Sequence, residues 1–173
     1  MPGHARGHER TTRQTDASST LQTVLMRARQ LAQIAPVVSP DDGAVDALRV
    51  LTTAGLPGLV VNDGESFIVV PASQVLRVAL PRYIIENPSL GRVWDEASAD
   101  EIASHLQGKR VADLVLALGR DEDLPEPAVD GDATVVEIAA VMAAAHVPLV
   151  AVVEDGRYVG VITVNRLVGC LLG

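Results

Sequence analysis

Two stretches of this chain carry one pattern, offset by 92 positions. Leu59-Val60-Val61-Asn62-Asp63-Gly64-Glu65-Ser66-Phe67-Ile68-Val69-Val70 is matched by Ala151-Val152-Val153-Glu154-Asp155-Gly156-Arg157-Tyr158-Val159-Gly160-Val161-Ile162. Each is an apolar run, an Asp-Gly pair and a second apolar run. Asp-Gly between β-branched runs predicts a two-residue hairpin turn, because both central residues of that turn need positive φ. Helix-period residues precede each hairpin: Val45, Leu48 and Leu51 in the first copy, Val135, Ile138, Val141 and Met142 in the second. A further helix follows each, over Ser73 to Leu80 and Asn165 to Leu172. The repeating unit is therefore strand, helix, strand, strand, helix, present twice, with one residue of slippage placed inside the first helix. The expected fold class is α/β (α+β), with two such units packed side by side.

Composition narrows the classes further. Of 173 residues 48% are apolar and only Phe67, Tyr83, Trp94 and Tyr158 are aromatic, so aliphatic side chains must build the core. A lone cysteine, Cys170, admits no internal disulfide, and no Cys/His spacing resembles a closed zinc site. The longest apolar stretch, Ile138 to Val153, is interrupted by His146 and Pro148 and falls short of the ~20 residues of a membrane span. No apolar segment follows Met1, so the expected location is cytoplasmic, without membrane insertion. The net charge of -8 is unevenly spread. Residues 1–30 hold five arginines against Glu9 and Asp16, which leaves nine basic and twenty acidic residues in the rest of the chain. A body that acidic repels phosphate backbones and argues against nucleic-acid binding. The tail is basic, but it has no aromatic residue on which bases could stack.

Four segments are expected. Residues 1–20 read as a disordered basic tail, whose His4 and His8 are solvated. Residues 21–81 form the first unit with a lead-in helix, marked by Leu21, Val24, Leu25, Ala28, Leu31 and Ala32 at helical spacing after Ser18, Ser19 and Thr20. Residues 82–118 form a linker with helices over Ala97 to Leu106 and Val111 to Leu118, with Trp94 packed beneath it. Residues 119–173 form the second unit, reached through an acidic, proline-broken loop that begins at Arg120.

The duplicated unit, whose second hairpin strand runs into Gly-x-x-Thr and a helix, resembles the cystathionine-β-synthase (CBS) domain pair, or Bateman module. In the second copy the resemblance is carried by Asp132-Ala133-Thr134-Val135, by Val150 to Asp155, and by Tyr158-Val159-Gly160-Val161-Ile162-Thr163 leading to Asn165-Arg166-Leu167. The first copy is more divergent, with Ser39-Pro40-Asp41-Asp42, Phe67 to Val70, and Pro71-Ala72-Ser73-Gln74-Val75-Leu76. The resemblance implies a regulatory module that binds an adenosine-containing ligand, such as AMP, ADP, ATP or S-adenosylmethionine, in a cleft between units. It also implies a homodimer that acts on another protein, an enzyme or a transporter, and no required cofactor. The ligand residues it implies are Thr163, Asn165, Arg166, Thr134, Asp132 and Val150.

The family motif Gly-x-x-Thr-x-x-Asp is only partly kept. Gly160 and Thr163 are present, but Arg166 stands at the aspartate position, and Ile68, Pro71 and Gln74 hold the three positions in the first copy. An arginine cannot accept from a ribose diol, although it can grip a phosphate. These departures keep a second reading open, a dimeric interaction scaffold that has lost its ligand. Thr163 and Thr134 also suit helix N-caps, and His146 suits a helix end. No nucleophile elbow, Walker loop or zinc-protease motif is present, so no catalytic role is expected.

Overall fold

The computed structural model describes residues 26–93, 100, 104–119 and 126–172. The tail, residues 21–25 of the lead-in helix, Trp94, much of the helix expected over Ala97 to Leu106, and 120–125 of the acidic loop lie outside the described residues.

The architecture is mixed α/β, with two three-stranded sheets and helices against them. In the first unit β1 (Val37–Val38) pairs parallel to β2 (Gly58–Asn62), which pairs antiparallel to β3 (Phe67–Pro71). In the second, β4 (Ala128–Asp130), β5 (Leu149–Glu154) and β6 (Arg157–Thr163) repeat that order and sense. The chain enters through α1 (Ala28–Leu31). The first unit adds α2 (Ala44–Ala54) and α3 (Ala72–Ala79), and α4 (Arg82–Glu86) with a 3-10 turn (Pro88–Val93) follows. Helix α5 (Val111–Ala117) closes the linker, and α6 (Val135–Ala145) and α7 (Val164–Leu172) belong to the second unit.

Each central strand reads as a continuous apolar run because both of its faces are covered. Leu59 and Val61 of β2 join the helices of the first unit in one core, and Val150, Val152 and Ile162 do the same in the second. The alternate residues, Val60 and Val69 on one sheet and Leu149, Ala151 and Val161 on the other, meet in a third core between the sheets. That middle layer is what packs the units side by side.

Each unit is completed by chain that precedes the other. Helix α1 places Ala28 and Leu31 in the second unit's core, and the Ala28 and Arg29 N–H groups donate to the Ala133 and Gly131 carbonyls at 2.9 Å. Helix α5 places Val111 and Leu114 in the first unit's core, with the Val111 and Ala112 N–H groups donating to the Asp42 and Pro40 carbonyls at 2.9 Å. Both lead-in helices start with the same device. The N–H of Arg27 donates to the Gln30 side chain, and that of Arg110 to the Asp113 side chain, each three residues on and at 2.8 Å.

Three expectations need correction. The helical spacing from Leu21 to Ala32 is not one helix: Arg27 is extended (φ -111, ψ 157), because there the backbone turns to pair with Thr134. The two hairpin turns also differ. Asp155 (φ 51) and Gly156 (φ 74) make the expected two-residue turn between Glu154 and Arg157. In the first copy the strands close at Asn62 and Phe67, leaving a four-residue loop in which only Gly64 has positive φ. There the Asp63 carboxylate accepts from the Glu65 and Ser66 N–H groups and from the Ser66 hydroxyl, and Asn62 accepts from the Gly64 N–H. Self-capping by Asp and Asn side chains outweighs the tight turn.

The slippage lies in the hairpin rather than in the first helix. Gly43 and Thr134 precede α2 and α6, and Gly55 and His146 end them, each pair 91 apart. Pro71 and Thr163 end the last strands 92 apart. The extra residue enters at the irregularity between Val152 and Val153, where the register shifts against Gly160 and Tyr158.

Candidate functional site

The residues expected to bind a ligand fall into two groups at opposite ends of the second sheet. Thr163 ends β6 opposite Leu149, the first residue of β5. Its hydroxyl accepts from the Arg166 N–H at 3.4 Å, and the Val164 N–H donates to the Pro148 carbonyl at 2.9 Å. Arg166 Nε donates to the Leu31 carbonyl at 2.6 Å, which ties the first turn of α7 to the lead-in segment. Asn165 beside it is exposed. Two residues beyond Leu31, Gln33 exchanges a pair of 2.9 Å backbone hydrogen bonds with Val161. Gly160 makes that crossing possible, since a Cβ on it would come within 2.4 Å of the Gln33 carbonyl oxygen.

Asp132 and Thr134 sit beyond β4, whose Asp130 pairs with Val153. The two groups are thus separated by four residues of β5, about 13 Å at ~3.3 Å per residue. The Thr134 hydroxyl caps α6 by accepting from the Glu137 N–H at 3.2 Å. Arg29 lies between two carboxylates, paired with Asp132 and with Glu154, the latter at 2.8 Å. Arg27 donates to the Asp132 carbonyl at 3.2 Å. Val150 joins neither group: it is fully buried in the core under α6 and α7.

The first copy has the backbone of this site without its polar groups. Pro71 ends β3 opposite Gly58 as Thr163 ends β6 opposite Leu149, and the Ala72 N–H donates to the Pro57 carbonyl at 3.0 Å, as Val164 does to Pro148. Pro71 has no hydroxyl, and Ile68, where Gly160 would stand, is buried in the first core. A large side chain fits there because α5 runs on as a helix to Ala117, whereas α1 stops at Leu31 and the chain crosses β6.

An open depression of about 520 Å³, lined by Glu154, Asp155, Arg157, Tyr158 and Val159, lies at the β5–β6 turn and includes none of the expected residues. Tyr158 is committed elsewhere. Its ring stacks on Phe67 at 5.6 Å, and its hydroxyl donates to the Ala35 carbonyl at 3.0 Å. Burial pushes that hydroxyl up from 10.0 to about 12, so it stays protonated and suits no role as a base. Sequence reasoning missed Arg29, Gln33 and Tyr158 as organising residues. The available signal was the pair Arg27-x-x-x-Leu31 and Arg110-x-x-x-Leu114, one before each unit. His146, expected at a helix end, is the left-handed C-cap of α6 with φ 54. Among the described residues no helix is long and apolar enough to cross a membrane.

The CBS domain family model matches residues 121–173. A solved structure of a CBS domain-containing protein of unknown function from Kribbella flavida is 40% identical, with a TM-score of 0.63, and the match covers 83% of this chain and 98% of that one. The chain belongs to the CBS domain family. Two more distant CBS structures share the fold. The CBS domain of a bacterial CNNM/CorC family Mg2+ transporter, in complex with ATP, is 14% identical with a TM-score of 0.61, the match covering 94% of this chain and 98% of that one. CBSX2, in complex with AMP, is 19% identical with a TM-score of 0.53, covering 84% and 96%. No curated protein matches the sequence.

Proposed function

We propose that this CBS pair is a regulatory module that binds an adenosine-containing nucleotide and acts, as a homodimer in the cytoplasm, on an enzyme or a transporter. The observation that carries the reading is the start of α7, where Thr163, Asn165 and Arg166 come together. Arg166 is held by its Nε on Leu31, and among the described residues its two terminal nitrogens have no partner. A guanidinium fixed at a helix start beside the Thr163 hydroxyl suits a phosphate, so recognition led by phosphate takes the place of the ribose-binding aspartate. Distant relatives of the same fold that hold ATP and AMP support the ligand class. Asp132 and Thr134, at the other end of β4 and β5, would line a second cleft, and Val150 would support the first from beneath. The division into 1–20, 21–81, 82–118 and 119–173 goes with this reading, with each lead-in segment exchanged to the opposite unit.

One set of observations favours the scaffold instead. Pro71 and Ile68 offer no polar group in the first copy, and in the second Asp132 is ion-paired and Thr134 is capping. A thermal-shift panel with AMP, ADP, ATP and S-adenosylmethionine, with and without magnesium, separates the two. A nucleotide at about 100 times its dissociation constant adds about 2.7 kcal/mol and raises the melting midpoint. The shift should vanish in Thr163→Ala/Arg166→Ala. A cooperative melt unmoved by any of the four leaves the scaffold, and an undiminished shift in the double variant overturns the site.

A further inference from the structure

The lead-in segment 27–35 runs from one candidate group to the other and is held by both. At one end Arg27 pairs with Thr134 and donates to the Asp132 carbonyl, and Arg29 sits between the Asp132 and Glu154 carboxylates. At the other, Arg166 Nε donates to the Leu31 carbonyl at 2.6 Å, and Gln33 and Val161 exchange their two backbone bonds. The Tyr158 hydroxyl holds the Ala35 carbonyl beyond them. A four-residue helix has little stability of its own, so these bonds and the burial of Ala28 and Leu31 keep this strap in place. Helix α5 is the internal comparison. Its Val111 and Ala112 N–H groups are bonded at 2.9 Å, as those of Ala28 and Arg29 are. There the likeness stops: Gln74 stands where Arg166 would, and among the described residues no hydrogen bond joins α5 to β3 or to the first turn of α3.

Arg166 therefore serves two ends at once. A guanidinium carries its donors in one rigid plane, so Nε can hold Leu31 while the two terminal nitrogens take a phosphate. The Leu31 carbonyl fixes that plane before the phosphate arrives. With the strap undocked, the same arginine is a long, mobile side chain whose rotamer freedom is lost on binding. A phosphate thus binds the docked strap better than the undocked one, and such a difference in affinity is what couples a ligand to a conformation. Linkage makes the effect reciprocal, so the ligand tightens the strap by the factor by which the strap improves the site.

We infer that the strap is a positioning element of the α7 site, and that a nucleotide bound there clamps residues 27–35 onto the second unit while leaving α5 unaffected. This rests on the nucleotide reading above and adds its regulation: occupancy fixes the point at which residues 1–25 join the fold. Amide hydrogen exchange of the full chain, followed by NMR, tests it with AMP, ADP and ATP after calorimetry has given the dissociation constant of each. With a bound nucleotide at about 100 times that constant, the Ala28, Arg29 and Gln33 amides should slow at least about tenfold. The Val111 and Ala112 amides should slow less than about twofold. Gly160→Ala tests the reciprocal effect, because the three atoms nearest the new Cβ all belong to Ala32 and Gln33. It should raise the dissociation constant at least about fivefold, with circular dichroism checking the fold. Nucleotide binding in which both lead-in segments slow alike, or neither slows, overturns the clamp and leaves the nucleotide reading, as does an unchanged dissociation constant in Gly160→Ala. Binding of none of the three nucleotides overturns both.

Discussion

Gly160→Ala is the most direct trial of how the lead-in segment is built into the second unit. Gly160 does not have a left-handed φ, so alanine meets no backbone strain, and its whole effect is steric. The new Cβ would stand 2.4 Å from the Gln33 carbonyl oxygen and 3.0 Å from its carbon. Ordinary C···O contacts begin at about 3.3 Å, so the strands must part by roughly 0.9 Å. That lengthens the two 2.9 Å bonds between Gln33 and Val161 beyond hydrogen-bonding range. Two backbone bonds at about 1 ± 0.5 kcal/mol each give about 1–3 kcal/mol. Overpacking in general falls in the same range of about 1–3 kcal/mol and describes the same event, so the two are not added. For a protein of this size each kcal/mol lowers the melting temperature by roughly 2–4 °C, which predicts a fall of about 4–8 °C for the middle of that range. Thermal denaturation followed by circular dichroism reads the fall. Hydrogen exchange localises it, with residues 27–34 losing protection while the β2–β3 hairpin does not. A melting temperature within about 2 °C of the parent would refute this account of why a glycine stands at 160 and an isoleucine at 68.

Two further perturbations test local terms. His146 holds φ 54 at the end of α6 where Gly55 serves α2, so His146→Gly should stabilise the chain by about 1 kcal/mol, or raise its melting temperature by roughly 2–4 °C; no rise would show that the left-handed cap is unstrained. Tyr158 is held protonated by burial, so its contribution is fully present below pH 10, where the unfolded side chain titrates, and is lost as pH rises towards about 12. Urea denaturation should accordingly show Tyr158→Phe about 1 kcal/mol less stable than the parent at pH 8, through the lost bond to Ala35, with the gap closing above pH 10. A gap that stays constant to pH 11.5 contradicts the burial.

The candidate site shows where a short motif stops being informative. Gly160 and Thr163 were visible as a pattern, but not that Gly160 serves a strand crossing from Gln33. Nor was it visible that Arg166 reaches the Leu31 carbonyl 135 residues away in the chain. The resemblance puts Asp132 and Thr134 in one ligand set with Thr163. The register of β4, β5 and β6 puts them at opposite ends of the sheet, a separation set by strand direction rather than by distance along the chain.

The sequence by itself determined the repeated β-α-β-β-α unit, the Asp155-Gly156 turn, and the caps at Thr134, Thr163 and His146. Each of these is set within a few residues, by apolar period or by a side chain bonding its own backbone. Only the tertiary structure decided which lead-in segment completes which unit and where the extra residue of the second copy sits. A helix as short as Ala28–Leu31 has no strong preference of its own. It is held by the Ala133 and Gly131 carbonyls and by a core into which Ala28 and Leu31 fit. Contacts across a hundred residues leave no local period to read.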